Sequence, residues 1–143
     1  MHIFYFYQRN FILLLFGLIC SVACHAEVVV VVNPQNPIQT LKVDEVRDIF
    51  LGQSSEFPGG DLAIPADLPE GATRDAFYMK VADKSPQQMR AYWLKLIYTG
   101  KGIPPQKSSD SAALKKLISK NQGVIGYIDE KDIDNSVKVV PIK

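Results

Sequence analysis

The sequence contains very little cysteine, histidine or net charge. Its two cysteines and two histidines all lie within the first 25 of 143 residues. The remainder of the chain therefore excludes disulfides, a thiol nucleophile, a Cys/His zinc site and any triad that uses imidazole. The formal net charge is +1, and the lysines are scattered without interleaved aromatic residues. This pattern argues against nucleic acid as a partner.

The first 26 residues have the pattern of a secretory signal peptide. Arg9 is the only charged residue before the apolar run 11–20. That run is too short to cross a bilayer comfortably and suits the hydrophobic region of a signal. A signal peptidase site has small residues one and three positions before the cut. Cleavage after Ala26 and cleavage after Ala23 both meet this pattern. Either site removes Arg9 and leaves a formally neutral chain.

Two alternatives to simple cleavage remain open for this segment. Cys24 could carry a lipid, but Ser21 occupies the position where a lipobox usually has leucine. An uncleaved membrane anchor is the other alternative. We expect residues 1–26 to be a signal peptide and residues 27–143 to form one periplasmic domain, large enough for its own core but too short for two.

The apolar pattern after residue 27 predicts alternating strands and helices. A continuous β-branched run is typical of a buried strand, and apolar residues spaced three and four apart are typical of helices. This alternation predicts an α/β fold of three layers with a mixed, mostly parallel sheet flanked by helices. The predicted strands are 28–32, 62–64, 124–128 and 137–142, and the predicted helices are 41–50, 74–81, 86–97 and one that begins after Ser108 to Asp110.

The helix after residue 85 has the clearest start signal. Ser85 and Gln88 form a capping box with proline at the first helical position. We predict that Trp93, the only tryptophan, belongs to the core, because a stripe at helical spacing is usually a packing surface. The full predicted stripe is Met89, Tyr92, Trp93, Leu96 and Ile97.

The stretch 61–77 is the candidate ligand site. It reads as a short buried strand, a loop with two prolines and a glycine, and a helix that begins near Thr73. The first N–H groups of a helix lack internal partners and favour a bound anion. Gly71 would allow the backbone to approach a bound group, and Arg74 would add a positive fork. The alternative is that this stretch is an ordinary strand-loop-helix connection that binds no ligand.

Two acidic clusters are weaker candidates. Residues 129–134 suggest calcium, but they lack the glycine and terminal glutamate of an EF-hand loop, so we expect a solvated turn. Asp44 and Asp48 lie one helical turn apart, but the neighbouring Arg47 favours a solvated face. We therefore predict no metal, no cofactor and no enzymatic activity.

Three segments, in order, carry a family resemblance. The first is DIFLG at 48–52 with FPGG at 57–60, the second is EGATRDAF at 70–77, and the third is GVIGY at 123–127. Together they resemble the periplasmic phosphate-binding proteins, the receptors of phosphate ABC transporters. The resemblance implies a periplasmic-binding-protein-like fold. All three segments correspond to the second of the family's two lobes, so it implies a single lobe here.

The resemblance also implies a ligand site, with departures. Glu70 stands where the family has a ligand-binding serine, and Ala72 replaces a threonine-type residue. The arginine that the family has shortly before the turn is absent, and Ala66 lies at about that position. Gly71 and Thr73 match the motif. The candidate ligand-binding residues are accordingly Glu70, Gly71, Ala72, Thr73 and Arg74.

These observations lead to two functional hypotheses. The first is an exported single-lobe, phosphate-receptor-like module of the transport class, which binds a phosphate-like anion weakly at the loop 66–74 and the helix that follows. The alternative is a non-catalytic periplasmic interaction or regulatory domain that has lost phosphate binding and contacts a periplasmic or membrane protein. An enzyme is a third hypothesis and has the least support.

Overall fold

The computed structural model describes residues 26–143. The predicted signal peptide and the alternative fates of Cys24 therefore lie outside the described residues. No helix within the described range is long and apolar enough to span a bilayer. The elements are β1 (Val28–Val32), α1 (Val43–Phe50), β2 (Ile64–Asp67), α2 (Ala72–Ala82), α3 (Pro86–Tyr98), β3 (Gln106–Lys107), α4 (Ser111–Lys120), β4 (Val124–Asp129), a 3-10 turn (Glu130–Asp132) and β5 (Lys138–Val140).

The strands form one mixed sheet in the order β3-β2-β4-β1-β5. β2 pairs in parallel with β3 and with β4, whereas β1 pairs antiparallel with β4 and with β5. The predicted mixed, mostly parallel sheet is confirmed, because β2, β3, β4 and β5 all run in one direction and β1 alone among these five strands runs in the other. An apolar strand buried on both faces has the same sequence pattern in either direction, so the sequence did not reveal that β1 is the reversed strand.

Helices cover both faces of the sheet. Successive residues of a strand point to opposite faces, and in β4 these are Gly126 and Tyr127. A Cβ on Gly126 would lie 3.1 Å from the side chain of Leu114, so α4 packs directly on that face. The Tyr127 ring instead contacts Phe50 of α1 and stacks on Phe77 of α2, with ring centroids 5.8 and 3.9 Å away. The predicted three layers are therefore confirmed.

The strand predicted at 62–64 is displaced in the structure. β2 begins at Ile64, while Leu62 is 59% exposed and bridges Glu56 across a loop. The predicted strand ended too early, immediately before Pro65. The sheet tolerates this proline because Ile64 donates its N–H to the Gly123 carbonyl, immediately before β4, and β3 pairs with β2 only from Ala66 onward.

The start of α3 is confirmed and its apolar stripe is partly wrong. Ser85 Oγ accepts from Gln88 N at 3.2 Å, and Gln88 Oε1 accepts from Ser85 N at 2.8 Å. Met89 and Trp93 are buried as predicted. Ile97, however, is 53% exposed. Its side chain borders an open cavity described below.

Two element boundaries also differ from prediction, and one short strand was not predicted. The first helix begins at Val43 because Leu41 is bridged to Ile142 at the sheet margin. The last strand is shorter than 137–142, and β3 was not predicted at all. β3 has only two residues, both exposed, so it carries no apolar pattern that a sequence analysis could detect.

Candidate functional site

The loop 68–71 connects β2 to α2, as the sequence predicted for the ligand-binding stretch. Gly71 occupies the N-cap position of α2 and offers no side chain to accept from the first N–H groups of the helix. A Cβ on Gly71 would meet no atom within 4 Å, so the backbone is open on that side. Within the described residues, the first turn of α2 therefore has no side-chain cap and presents its N–H groups outward.

These residues line a cleft of about 280 Å³ together with the start of α4. All five predicted site residues, from Glu70 to Arg74, border this cleft. Its opposite wall is formed by residues 109–111, which the sequence analysis did not include, since only the tertiary structure brings α4 beside the loop. The N-terminus of α4 is already capped, because Asp110 Oδ1 accepts from Ala113 N at 2.8 Å.

Arg74 is a buried residue that still reaches solvent. Its side chain is 9% exposed, and Nε donates to Asp67 Oδ2 at 3.0 Å. Neither terminal nitrogen makes a hydrogen bond to a described residue. Trp93 Nε1 is the one fully buried side-chain polar atom without a partner in residues 26–143. The terminal nitrogens of Arg74 must therefore contact solvent, consistent with its position in the cleft wall.

Asp67 organises the buried side of this arginine and was missed by the sequence analysis. The residue is 2% exposed and ends β2. Besides Arg74, its carboxylate accepts from the Tyr78 hydroxyl at 3.2 Å and from the Tyr127 hydroxyl. A single acid at the end of an apolar strand was the only local signal. Its partners come from α2 and β4, which are distant in sequence.

The protonation states of this cluster follow from its burial. Burial and the negative charge of Asp67 raise the pKa of Tyr78 and of Tyr127, so both phenols remain neutral donors. Burial lowers the pKa of Arg74, but its attraction to Asp67 and their hydrogen bond outweigh this effect, and the net pKa is raised. The arginine is therefore a permanent positive charge that is held in place. Tyr127 also accepts from Leu68 N at 3.2 Å and so fixes the start of the loop.

Two carboxylates oppose an anion in the same cleft. Glu70 is on the rim with a side chain 63% exposed, and one of its oxygens lies 3.3 Å from Arg90 Nη1. Asp110 lines the opposite wall. The cleft thus combines an open helix N-terminus and a fixed arginine with two negative charges, and it opens widely to water. Groups that attract an anion and groups that repel it therefore lie side by side, and water screens both.

The two acidic clusters considered from sequence are surface structures. Arg47 bridges Asp44 at 2.7 Å and Asp48 at 3.3 Å on a partly exposed face, which confirms the predicted solvated surface.

The segment 129–134 forms a turn that is tied to α4. Lys115 Nζ lies 2.5 Å from Asp134 Oδ2, and hydrogen bonds from Lys115 and Ser136 lower the pKa of Asp134 to about 2. Residues 26–143 contain no group of three or more acidic, cysteine or histidine side chains placed to hold a metal.

Comparisons with known proteins place the fold. No protein-family model matches the chain, and a search of curated proteins finds no similar sequence. Among solved structures, a Clostridium perfringens protein described as a phosphate ABC transporter substrate-binding protein, with bound phosphate, matches with a TM-score of 0.63 and 22% identity over 80% of this chain and 44% of that one. An ABC-type phosphate transport receptor from Vibrio cholerae matches with a TM-score of 0.58 and 17% identity over 80% of this chain and 45% of its own.

A third structure, PstS from Borrelia burgdorferi, matches with a TM-score of 0.53 and 12% identity over 81% of this chain and 47% of its own. The chain thus spans less than half the length of the structures that it matches, consistent with a single lobe. Its structural neighbours are phosphate ABC transporter substrate-binding proteins, and it shares with them an α/β fold of the periplasmic-binding-protein type.

Proposed function

We propose that the chain is an exported single-lobe binding module, with residues 27–143 as its domain, that holds a small phosphate-like anion weakly at residues 70–74. One observation carries the proposal. The terminal nitrogens of Arg74, which is otherwise buried, have no described protein partner and line the same cleft as the uncapped first turn of α2. Both groups attract negative charge. The structural neighbours, two of them named as phosphate transport proteins, support this ligand class.

The proposed affinity is low for physical reasons. A charge-assisted hydrogen bond is typically worth about 1.5–3 kcal/mol, and a helix N-terminus adds about 0.3–1 kcal/mol. Glu70 and Asp110 act against these gains, and water screens the open cleft. We expect phosphate to bind no more tightly than about millimolar, which corresponds to about −4 kcal/mol.

Calorimetry with phosphate at constant ionic strength tests the proposal. Glu70→Gln removes the opposing charge at similar size and should tighten binding about two- to fivefold. Glu70→Ser should also strengthen binding. Glu56→Gln is the matched control, because it makes the same change at an exposed carboxylate that does not line this cleft. Micromolar affinity in the unmodified protein, or equal effects of Glu70→Gln and Glu56→Gln, would contradict the proposal.

A second candidate is a non-catalytic periplasmic interaction domain, and one observation favours it. Glu70 occupies the position of a ligand-binding serine in the resemblance, and Arg90 partly neutralises it. The rim of the cleft is thus occupied by an ion pair of the chain itself. If phosphate at several millimolar leaves the melting temperature unchanged, this alternative is favoured, since a ligand bound to the native state raises apparent stability. Its partner would be a periplasmic or membrane protein.

A further inference from the structure

A second cavity of about 400 Å³ lies beside the anion cleft, between α3 and residues 104–107. This volume is within the range of small-molecule sites, which usually have mostly apolar walls with a few polar groups. The cavity shares Glu70 and Arg74 with the cleft but has a different character. Its apolar walls are formed by Met89, Trp93, Leu94, Ile97, Pro104 and Pro105.

Two of these apolar residues are largely exposed to solvent. Leu94 is 58% exposed and Ile97 is 53% exposed. Trp93, on the same helix, is 7% exposed and joins the cavity to the core. An apolar body placed in the cavity would cover the two exposed side chains and remove them from water, which is favourable in proportion to the area buried.

The polar part of the same cavity has an excess of positive charge. It contains Asp67, Glu70, Arg74, Arg90 and Lys107. Asp67 is already saturated by its three buried donors, and Glu70 is paired with Arg90.

One cation at this cavity has no ion-pair partner among residues 26–143, and a second, paired cation has hydrogen-bond donors to spare. Lys107, in the edge strand β3, makes no ion pair with any residue in 26–143, and the terminal nitrogens of Arg74 make no hydrogen bond there. Apolar walls beside the unpaired Lys107 and the unused N–H groups of Arg74 are complementary to a ligand that is apolar at one end and anionic at the other.

We infer that this cavity is a binding site for an amphipathic organic anion. The apolar body of the ligand lies against Leu94 and Ile97, and its carboxylate, phosphate or sulfonate group is directed to Lys107 and the terminal nitrogens of Arg74. This inference shares the terminal nitrogens of Arg74 with the proposed phosphate site, but it needs neither the helix N-terminus nor Thr73 and adds Lys107 and the apolar wall. It adds a ligand class that inorganic phosphate does not represent.

Trp93 supplies a direct readout. It is the only tryptophan in the sequence and lines the cavity, so its emission reports what enters. The protein expressed from its full sequence is titrated with octanoate, 1-octanol, acetate and octylammonium. We expect octanoate to produce a saturable change at concentrations at least about tenfold below those needed for any of the other three. Equal potency of octanoate and octylammonium, or no saturation by octanoate, would overturn the inference.

Matched variants locate the site. Lys107→Glu should weaken octanoate binding about three- to tenfold. Lys101→Glu makes the same change at an exposed lysine outside the cavity and should leave octanoate binding unchanged. Ile97→Ser should weaken octanoate binding. Ile103→Ser, at a position that is 87% exposed and outside the cavity, should leave octanoate binding unchanged. Circular dichroism confirms that each variant is folded. Equal effects within either pair would overturn the assignment.

Two further measurements distinguish this ligand site from a dimer interface and from the proposed phosphate site. If sedimentation shows a dimer that Ile97→Ser dissociates, the exposed apolar side chains serve a second copy of the chain, and the inference is overturned. If Glu70→Gln changes phosphate affinity while octanoate binding depends on Ile97, both sites exist. If phosphate does not bind but octanoate binding depends on Ile97, the proposed phosphate site is contradicted and this inference is still supported.

Discussion

Arg74 Nε donates to Asp67 Oδ2 at 3.0 Å, and both side chains are almost completely buried. Asp67 is the last residue of β2, and Arg74 lies in the first turn of α2. The ion pair therefore joins the two ends of the candidate ligand-binding loop. Because the pair uses only one edge of the guanidinium, it fixes the arginine while leaving its terminal nitrogens available to the cleft.

Breaking this pair should be costly. Arg74→Met leaves the Asp67 carboxylate buried with only two tyrosine hydroxyls, and removing one partner of a buried ion pair typically costs about 3–5 kcal/mol. Arg47→Met is the matched control, because Arg47 bridges two acids at a surface where ion pairs are worth about 0–1 kcal/mol. Urea unfolding measures both. Similar losses in the two variants would show that the buried pair is not a structural requirement.

Stability should fall in alkaline solution because of two buried phenols. The pKa values of Tyr78 and Tyr127 are raised in the folded protein above about 10, the ordinary value. Below that pH their contribution is fully present. Above it, the unfolded chain releases these protons while the native state keeps them, so the free energy of unfolding falls by up to about 1.4 kcal/mol per pH unit for each tyrosine.

Tyr127→Phe provides the test of this pH dependence. The variant should lose about 1–3 kcal/mol at neutral pH, because Asp67 and the Leu68 N–H each lose a buried partner. Its further loss between about pH 9 and pH 11 should be shallower than that of the unmodified protein, because one of the two tyrosines has been removed. Parallel slopes in urea unfolding would show that other groups govern the alkaline range.

Trp93 should contribute strongly to stability through its ring and not through its N–H. Trp93→Ala should cost about 3–5 kcal/mol as a large-to-small core change. Trp93→Phe should cost much less, because it retains an aromatic ring and removes Nε1, which is buried without a partner. Thermal unfolding followed by circular dichroism compares the two variants. If Trp93→Ala retains full stability, the indole is not part of the core.

The position of the mature N-terminus remains a prediction from sequence. We expect extracytoplasmic protein to begin near Glu27, because the apolar run 11–20 and the small residues after it suit signal cleavage. N-terminal sequencing and intact mass measure this directly. A chain that retains residues 11–20 would contradict export by cleavage, and a lipid on Cys24 would indicate a membrane-anchored form.

Local sequence patterns determined the elements and their approximate ends. The β-branched run at Val28–Val32, the capping box at Ser85 and the N-cap at Asp110 each act within a few residues, so they can be read without knowledge of the fold. The loop between β2 and α2 was located in the same way, since Gly71 ends the irregular segment and helical spacing begins after it.

Only the tertiary structure decided how these parts meet. The reversed direction of β1, the exposure of Ile97 and the role of Asp67 all depend on residues far apart in the chain. The hydroxyl of Tyr127 reaches Asp67 across 60 positions, and α4 brings Asp110 to the cleft from a segment that follows β3. Burial, ion pairing and the sign of charge in a cavity are properties of these long-range neighbours, and no local pattern specifies them.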